Sequence, residues 1–283
     1  MHELWYFVLM KNFAILIMLF LGSLAAAKVV VVSDIDDTIK VSHVLDPDSA
    51  VGNALKVGNV FRGMSYLYSL IQASHHQTQF FYLTNAPQVG FDRIHARFLE
   101  IHEFPNGDLL LRRNITDNEH KIRSLRKIVD DNSGAQFILI GDNGERDPAF
   151  YNQIRLERPN ENFTVFIREV YSSQHDEEDD RGMRLFPGQI GFVTPIEISL
   201  VLNQLNLLHP VFVDLLEQSY VPITLIEAAN EDDDGETGTL SFPNWKDCRD
   251  FEIPHVLKMR QTALAEALIR RIESRCSIPP FDD

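Results

Sequence analysis

Two kinds of segment alternate along the first half of the chain. Short runs that are apolar throughout, such as "KVVVVS" and "QFILIG", are typical of strands buried on both faces of a sheet. Between them, longer segments such as "GMSYLYSLIQASHH" repeat apolar residues at the spacing of an amphipathic helix. Repeated alternation of strand and helix over residues 28–171 predicts an α/β fold, a Rossmann-like parallel sheet with helices on both faces.

The pattern changes after Tyr171. A charged segment, "SSQHDEEDDRG", has the composition of a solvated loop, and the apolar spacing of the remainder is mostly helical. Over 254–274 that spacing predicts one long amphipathic helix. We therefore expect residues 172–283 to form a mainly helical C-terminal extension packed on the sheet domain.

The N-terminus has the features of a secretory signal peptide over residues 1–27. An apolar run over 13–21 is followed by small residues, and cleavage is expected before Lys28. Met10 is a second candidate start. The mature protein is then exported, to the periplasm or out of the cell. An uncleaved membrane anchor over 5–27 is the alternative, although the apolar run is short for a span of about 20 residues.

Composition limits the partners of the chain. The 283 residues are 45% apolar and 24% charged, which is ordinary for a folded protein, and the formal net charge is -15. Such an acidic protein lacks the positive surface of a nucleic-acid-binding protein. Anionic bilayers would also repel it, so any peripheral membrane contact must be local.

The two cysteines, Cys248 and Cys276, lie near the end of the chain and do not have a metal-binding spacing. In an oxidising compartment they can form a disulfide. Two buried thiols are equally compatible with the sequence.

Acidic residues follow the predicted strands. Asp34 comes directly after the first strand, with Asp36 two residues later, and Asp142 follows "FILIG". The carboxyl ends of parallel strands meet at one edge of a sheet, so these side chains should converge. Two carboxylates about 4 Å apart repel by roughly 4 kcal/mol at an effective dielectric constant near 20, so the group needs a cation. Oxygen ligands favour a hard divalent ion, most simply Mg²⁺, which in turn favours phosphate substrates.

The order of several motifs carries more information than any one of them. "SDIDDTIKVS", "FFYLTNAP", "HK" and "GDNGERDPAFY" occur in the order of the four motifs of the haloacid-dehalogenase superfamily of phosphatases, which the sequence resembles. Together with "FRGMSYLYSL" and "VFIREV", they resemble the phosphatidate phosphatase catalytic domain of a fungal actin-patch-associated enzyme and its bacterial relatives. The resemblance covers residues 28–171.

The resemblance implies catalytic roles for four residues. Asp34 would attack phosphorus and form an aspartyl-phosphate. Asp36 would protonate the leaving alkoxide and later deprotonate the attacking water. Thr84 would hydrogen-bond a phosphoryl oxygen, and Lys121 would neutralise charge on the nucleophile and the transferring group. Thr84 stands where the relatives more often have serine, which preserves the hydroxyl.

The same resemblance implies a Mg²⁺ site. Asp34, Asp142 and the backbone carbonyl of Asp36 would bind the ion. Asp147 would stabilise these ligands without contacting the ion directly. Asn85 would help to bind the substrate phosphate, together with Thr84 and Lys121.

The spacing of the motifs leaves no room for a large cap domain. An open site of this kind cannot enclose a small substrate but can accept a phosphate on a large one. We therefore expect a Mg²⁺-dependent phosphatase acting on phosphatidate or another phosphorylated lipid. The alternatives are a phosphatase of phosphoproteins or soluble phosphate esters, and a secreted binding module without turnover. His43 and Arg62 are further candidates for phosphate binding, and Arg113 replaces an aspartate that the relatives tend to have.

Overall fold

The computed structural model of the protein describes residues 28–46, 56–175, 177–227 and 238–277. The signal peptide predicted over 1–27 lies outside the described residues. The strands are β1 (Val29–Ser33), β2 (Val60–Phe61), β3 (Gln79–Pro87), β4 (Asp108–Arg112), β5 (Gln136–Asp142), β6 (Asn162–Arg168), β7 (Gln189–Phe192) and β8 (Thr239–Leu240). The helices are α1 (Met64–Ser74), α2 (Gln88–Ile101), α3 (His120–Asp131), α4 (Asp147–Glu157), α5 (Pro195–Gln204), α6 (Pro210–Ile226), α7 (His255–Lys258) and α8 (Ala263–Cys276).

The main sheet has the strand order β4-β3-β1-β5-β6-β7, and all of its neighbouring strands are parallel. Strand β1 lies in the middle, between β3 and β5, so the residues that follow it are placed at the centre of the carboxyl edge. That edge is where an open parallel sheet binds its ligands.

Strand β1 shows why its sequence is apolar throughout. Val29 and Val31 face a core shared with α1, α2, α5, α6 and α8, whereas Val30 and Val32 face a second core shared with α3 and α4. Every residue of the strand is buried because helices cover both faces. The predicted fold class is thereby confirmed.

The C-terminal extension does more than pack on the sheet. Its described residues form the helices α5–α8, but also β7, which pairs with β6 as the sixth strand of the main sheet. A further strand, β8, pairs with β2 in a separate two-stranded sheet. Residues on both sides of Tyr171 therefore belong to the same folded unit.

The single long helix predicted over 254–274 is wrong. The chain forms α7, leaves the helical path and starts again at α8, where the side chain of Thr262 accepts a hydrogen bond from the backbone N–H of Ala265. The interruption is stabilised by α6, because Arg260 between the two helices donates to Glu217 at 2.7 Å. The apolar spacing continues across the break, so the spacing alone does not reveal it.

Cys248 and Cys276 form a disulfide, with Cα atoms 4.7 Å apart, that joins α8 to the segment before α7. Between β3 and α3 the chain forms only α2 and β4, so no cap domain is inserted there. Within the described residues, no helix is both long enough and apolar enough to cross a membrane.

Candidate active site

Asp34 lies at the centre of the carboxyl edge of the sheet. Its backbone N–H donates to the carbonyl of Ile140 on β5 at 2.9 Å, which fixes the chain as it leaves β1. Its side chain is buried, and Oδ1 accepts a hydrogen bond from Lys121 Nζ at 2.7 Å. Lys121 extends from the first turn of α3 and is itself buried. The pair joins two residues that are 87 positions apart in the sequence.

Three further acidic residues lie in the segment "GDNGERD": Asp142 ends β5, and Glu145 and Asp147 follow it. Lys121 Nζ also donates to Asp147 Oδ1 at 2.6 Å and to Glu145 Oε2 at 3.1 Å. Asp142 is held by the backbone instead, because its Oδ2 accepts a hydrogen bond from the backbone N–H of Gly144 at 2.8 Å. Three carboxyl groups thus contact a single ammonium group, and the carboxyl group of Asp142 is held by backbone N–H groups.

Several oxygens in this cluster lack a donor. Asp34 Oδ2, Asp142 Oδ1 and Asp147 Oδ2 are buried and have no hydrogen-bond partner within the described part of the chain. Asp34, Glu145 and Asp147 each offer an oxygen, and these oxygens lie within 4.8 Å of one another. Buried carboxylate oxygens without donors are costly unless a cation compensates them. An all-oxygen anionic set of this kind fits a hard divalent ion such as Mg²⁺.

The electrostatics of the cluster lead to the same conclusion. Burial, and then the charge of Asp147, raises the pKa of Asp142 well above its ordinary value. Burial also raises the pKa of Asp34, although Lys121 opposes the shift. Burial alone would lower the pKa of Lys121, but its three carboxylate neighbours outweigh it and raise that pKa. The lysine therefore stays charged and compensates only part of the negative charge around it.

Asp36 has a different environment from Asp34. Ser42 Oγ donates to its Oδ1 at 2.7 Å, and Thr84 Oγ1, at the end of β3, donates to its Oδ2 at 3.3 Å. Lys40 Nζ lies 3.9 Å from Oδ1, and His95 Nε2 lies 3.9 Å from Oδ2. The side chain is partly exposed, at 18%. Neighbouring groups therefore orient this carboxyl group while part of it stays exposed.

Asp37, the third aspartate of "DIDD", shapes the loop. Its carboxylate accepts hydrogen bonds from the backbone N–H groups of Ser42, His43 and Val44 and from the hydroxyl of Tyr171 at 2.6 Å. These bonds fold the segment that follows β1 back on itself. Through this fold, Ser42 reaches Asp36.

A cavity of about 330 Å³ opens beside Asp36. Its polar wall includes Asn85, whose Nδ2 donates to Glu145 Oε2 at 2.9 Å. The other lining residues are Ser42, Val44, Ala86, Pro87, Phe91, His95, Arg112 and Glu145. The cavity has room for a small ligand or for the polar end of a larger one.

Comparison with known proteins identifies the family. A sequence model of the family described as "Phosphatidate phosphatase APP1, catalytic domain" matches residues 29–169. This part of the chain belongs to that family. The matched residues run from β1 to just after β6 and include Asp34, Thr84, Lys121 and Asp142.

Among the proteins that resemble the chain are one curated relative and two solved structures. Phosphatidate phosphatase APP1 of Saccharomyces cerevisiae is 27% identical over 165 residues, which are 52% of this chain and 28% of the yeast protein. The match thus spans little more than a quarter of that relative's length. A class C acid phosphatase from Bacillus anthracis with tungstate bound has a TM-score of 0.35 and 13% identity, covering 74% of this chain and 85% of that one. The Pnkp1/Rnl/Hen1 RNA repair complex gives a TM-score of 0.30 and 15% identity, covering 59% of this chain and 44% of that one. TM-scores this low give no basis for transferring a ligand or a reaction.

The structure brings most of the predicted site residues of this phosphatase family domain together. Asp34, Lys121 and Asp147 are in direct contact, and Thr84 contacts Asp36. The side chain of Asp36 is hydrogen-bonded to Ser42 and Thr84 and is not among the clustered oxygens of Asp34, Glu145 and Asp147, so its backbone carbonyl remains the expected metal ligand.

Glu145 is a site residue that sequence reasoning missed. It contacts Lys121 and Asn85, and it belongs to the acidic cluster. Its position between Asp142 and Asp147, in a segment already singled out, is the one signal that could have identified it.

The two further phosphate-binding candidates, Arg62 and His43, have other partners, and Arg113 lies apart from the site. Arg62 is not at the site, because it donates to Glu227 Oε2 at 3.1 Å and is held by the C-terminal extension. His43 stacks on Trp245, with ring centroids 4.3 Å apart. Arg113 is exposed and lines a separate cavity beside α3.

Proposed function

We propose that the protein is a Mg²⁺-dependent phosphatase that hydrolyses phosphatidate or a related lipid phosphate through an aspartyl-phosphate on Asp34. One observation carries the proposal. Lys121 holds one oxygen of Asp34, while the other oxygen, Oδ2, is buried without a donor at the carboxyl edge of the sheet. A carboxylate fixed on one side and unoccupied on the other is suited to nucleophilic attack.

In the first step, Asp34 Oδ2 bonds to phosphorus as the bond from phosphorus to the alcohol oxygen breaks. Asp36, in its protonated form, gives its proton to the departing oxygen, so that an alcohol leaves. The positive charge of Lys121 stabilises the negative charge on the phosphoryl group, and the hydroxyl of Thr84, once it turns from Asp36, donates a hydrogen bond to a phosphoryl oxygen. The product is an aspartyl-phosphate and a free alcohol, diacylglycerol when phosphatidate is the substrate.

In the second step, Asp36 removes a proton from water as the water oxygen bonds to phosphorus. The bond between phosphorus and Asp34 breaks, which restores the carboxylate and releases inorganic phosphate. Asp36 is then protonated again and ready for the next cycle. Two modest barriers replace one high barrier.

The acidic cluster would hold the metal ion. Asp34, Glu145 and Asp147, with the unpartnered oxygen of Asp142, are the residues that would bind it. When bound, Mg²⁺ supplies positive charge to the phosphoryl group. The ion would compensate the negative charge of the carboxylates that Lys121 alone leaves uncompensated.

The lipid substrate is supported by the family description and by the absence of an inserted cap between β3 and α3. Without such a cap, a phosphate at the edge of a bilayer or micelle can approach Asp34. Export is a separate proposal, based on the signal-peptide pattern over 1–27. N-terminal sequencing of secreted or periplasmic protein tests it, and a mature protein starting at Lys28 is expected.

The enzymatic test uses a chromogenic aryl phosphate and phosphatidate in mixed micelles. We expect hydrolysis of both with Mg²⁺, loss of both in chelator, and loss in Asp34→Asn. Asp131→Asn is the matched control, because Asp131 is an exposed aspartate on α3. Turnover of the aryl phosphate alone would favour soluble esters or phosphoproteins as substrates. Turnover of neither would favour the binding module, and metal-independent activity that survives Asp34→Asn would contradict the mechanism.

A further inference from the structure

His95 is a buried polar residue beside the site. It lies on α2, its side chain is 0% exposed, and neither Nδ1 nor Nε2 has a hydrogen-bond partner among the described residues. Its Nε2 is 3.9 Å from Asp36 Oδ2, about 1 Å longer than an ordinary hydrogen bond.

Packing alone does not account for this residue. The nearest aromatic ring, that of Phe91, has its centroid 6.1 Å away. A buried imidazole without partners costs free energy, and an apolar side chain would fill the same space without that cost. We therefore expect the imidazole ring to have a hydrogen-bond partner in the working enzyme.

Asp36 Oδ2 is the acceptor within reach. Its sister oxygen, Oδ1, has a short hydrogen bond from Ser42, whereas Oδ2 receives one long bond from Thr84, at 3.3 Å. A small rotation of the Asp36 carboxyl group would bring Oδ2 within hydrogen-bond distance of His95 Nε2. Hydrogen bonds at catalytic sites are often long in the free enzyme and shorten when substrate binds.

We propose that His95 is a positioning residue, which donates a hydrogen bond from Nε2–H to Asp36 Oδ2 and orients this carboxyl group for proton transfer to the leaving oxygen. The inference rests on the proposed function, because it assumes that Asp36 is the general acid. It adds a residue from α2, outside the motif positions, to the machinery of the first step.

The inference predicts a dependence on the leaving group. Departure of an alkyl alcohol needs a proton, since an alkoxide is strongly basic, whereas dinitrophenolate leaves without one. The parameter kcat/KM reports the steps up to departure of the alcohol, so it isolates the step in which Asp36 acts as an acid. A defect in fold or in phosphate binding would lower kcat/KM for both substrates equally.

The experiment compares phosphatidate in mixed micelles, whose leaving group is an alkyl alcohol, with 2,4-dinitrophenyl phosphate in the full chain with Mg²⁺. For His95→Leu we expect kcat/KM to fall roughly ten- to a hundredfold for phosphatidate and less than about threefold for the aryl ester. His95→Gln, which keeps a donor near Nε2, should recover most of the loss. His95→Asn, which places its donor near Nδ1, should not, and it serves if His95→Leu does not fold.

His102→Leu is the matched control. It removes a half-buried histidine just beyond the end of α2 whose Nε2 contacts the carbonyl of Val57 at 2.8 Å and not Asp36. It should change kcat/KM equally for the two substrates or not at all. Equal losses in His95→Leu, or no loss, would overturn the inference and leave the proposed function intact. If wild-type protein hydrolyses neither substrate, the proposed function fails, and the inference fails with it.

Discussion

The indole ring of Trp245 stacks on the imidazole ring of His43, with centroids 4.3 Å apart and planes 5° from parallel. Trp245 belongs to the C-terminal extension, whereas His43 belongs to the loop that follows β1. Tyr171 extends the stack, with its ring centroid 5.4 Å from that of Trp245, and its hydroxyl donates to Asp37. The extension therefore helps to hold the loop that carries Asp36.

Replacement of Trp245 tests this connection. We expect Trp245→Ala to destabilise the protein by about 3 to 5 kcal/mol, as for other buried large aromatic residues. Activity at a temperature where the variant is folded should fall by roughly ten- to a hundredfold, because Asp36 is less well oriented. Urea unfolding and steady-state kinetics measure the two effects. Trp245→Phe keeps a stacking ring and should lose far less stability and activity. Equal activity in the wild type and the two variants would show that the extension does not contribute to catalysis.

Lys121 is the cation of the buried cluster. Lys121→Met removes the donor to Asp34, Glu145 and Asp147, so kcat/KM for an aryl phosphate should fall by roughly a hundredfold or more. The loss of charge compensation should also lower the free energy of unfolding by about 3 to 5 kcal/mol without metal. Added Mg²⁺ should restore part of the stability but not the activity.

Lys127→Met is the control for this variant, because Lys127 lies on the same helix with its side chain 76% exposed. Its kinetics and unfolding should match those of the wild type. Wild-type activity in Lys121→Met would remove Lys121 from the mechanism.

The disulfide between Cys248 and Cys276 should stabilise the extension. The two residues are 28 positions apart, for which the chain-entropy model gives about 3 to 4 kcal/mol. The double variant Cys248→Ser, Cys276→Ser should therefore unfold at lower urea concentration than the oxidised wild type. Reduction of the wild type should produce the same shift and leave the double variant unchanged. An identical unfolding midpoint in all samples would show that the bridge contributes nothing.

Glu169 should give the protein a pH dependence of stability that does not involve the acidic cluster around Lys121. Burial, and then the charge of Asp250, raises its pKa from 4.5 to about 8. Between these values the folded state binds more protons than the unfolded state, so stability falls as pH rises through this window. Glu169→Gln removes this contribution. The fall in Tm from pH 5 to pH 8.5 should be smaller in the variant by at least about 2 °C, which corresponds to roughly 1 kcal/mol at this size. Identical slopes for the two proteins would contradict the assignment.

The sequence predicts the centre of the fold well because the relevant signals are local. The apolar run of β1 indicates a strand covered on both faces, and Asp34 is placed at the edge simply by following it. Strand β7 was not predicted, since it has only four residues and is defined by pairing with β6. Strands β2 and β8 are two residues each and meet across a gap of more than 170 positions in the chain.

The prediction of the site is limited for the same reason, because its contacts join segments that are distant in the sequence. Glu145 and Asp147 are both acidic residues of one short segment, and the sequence gives no reason to prefer one as a neighbour of Lys121. The importance of His95 depends on packing that places α2 beside Asp36, and its position in a helical pattern is unremarkable. The motif residues were predicted through a family resemblance, which records contacts that local spacing does not. Their catalytic roles stay predictions until activity is measured.

Covalent capture of the phosphorylated enzyme tests the central claim most directly. The protein is mixed with an excess of aryl phosphate and Mg²⁺, quenched in acid and treated with borohydride, which reduces an aspartyl-phosphate to homoserine. Mass spectrometry of the peptide that contains residues 29–40 should show this conversion at Asp34, and Asp34→Asn should show none. Conversion at another carboxylate, or turnover without any modified residue, would contradict the account.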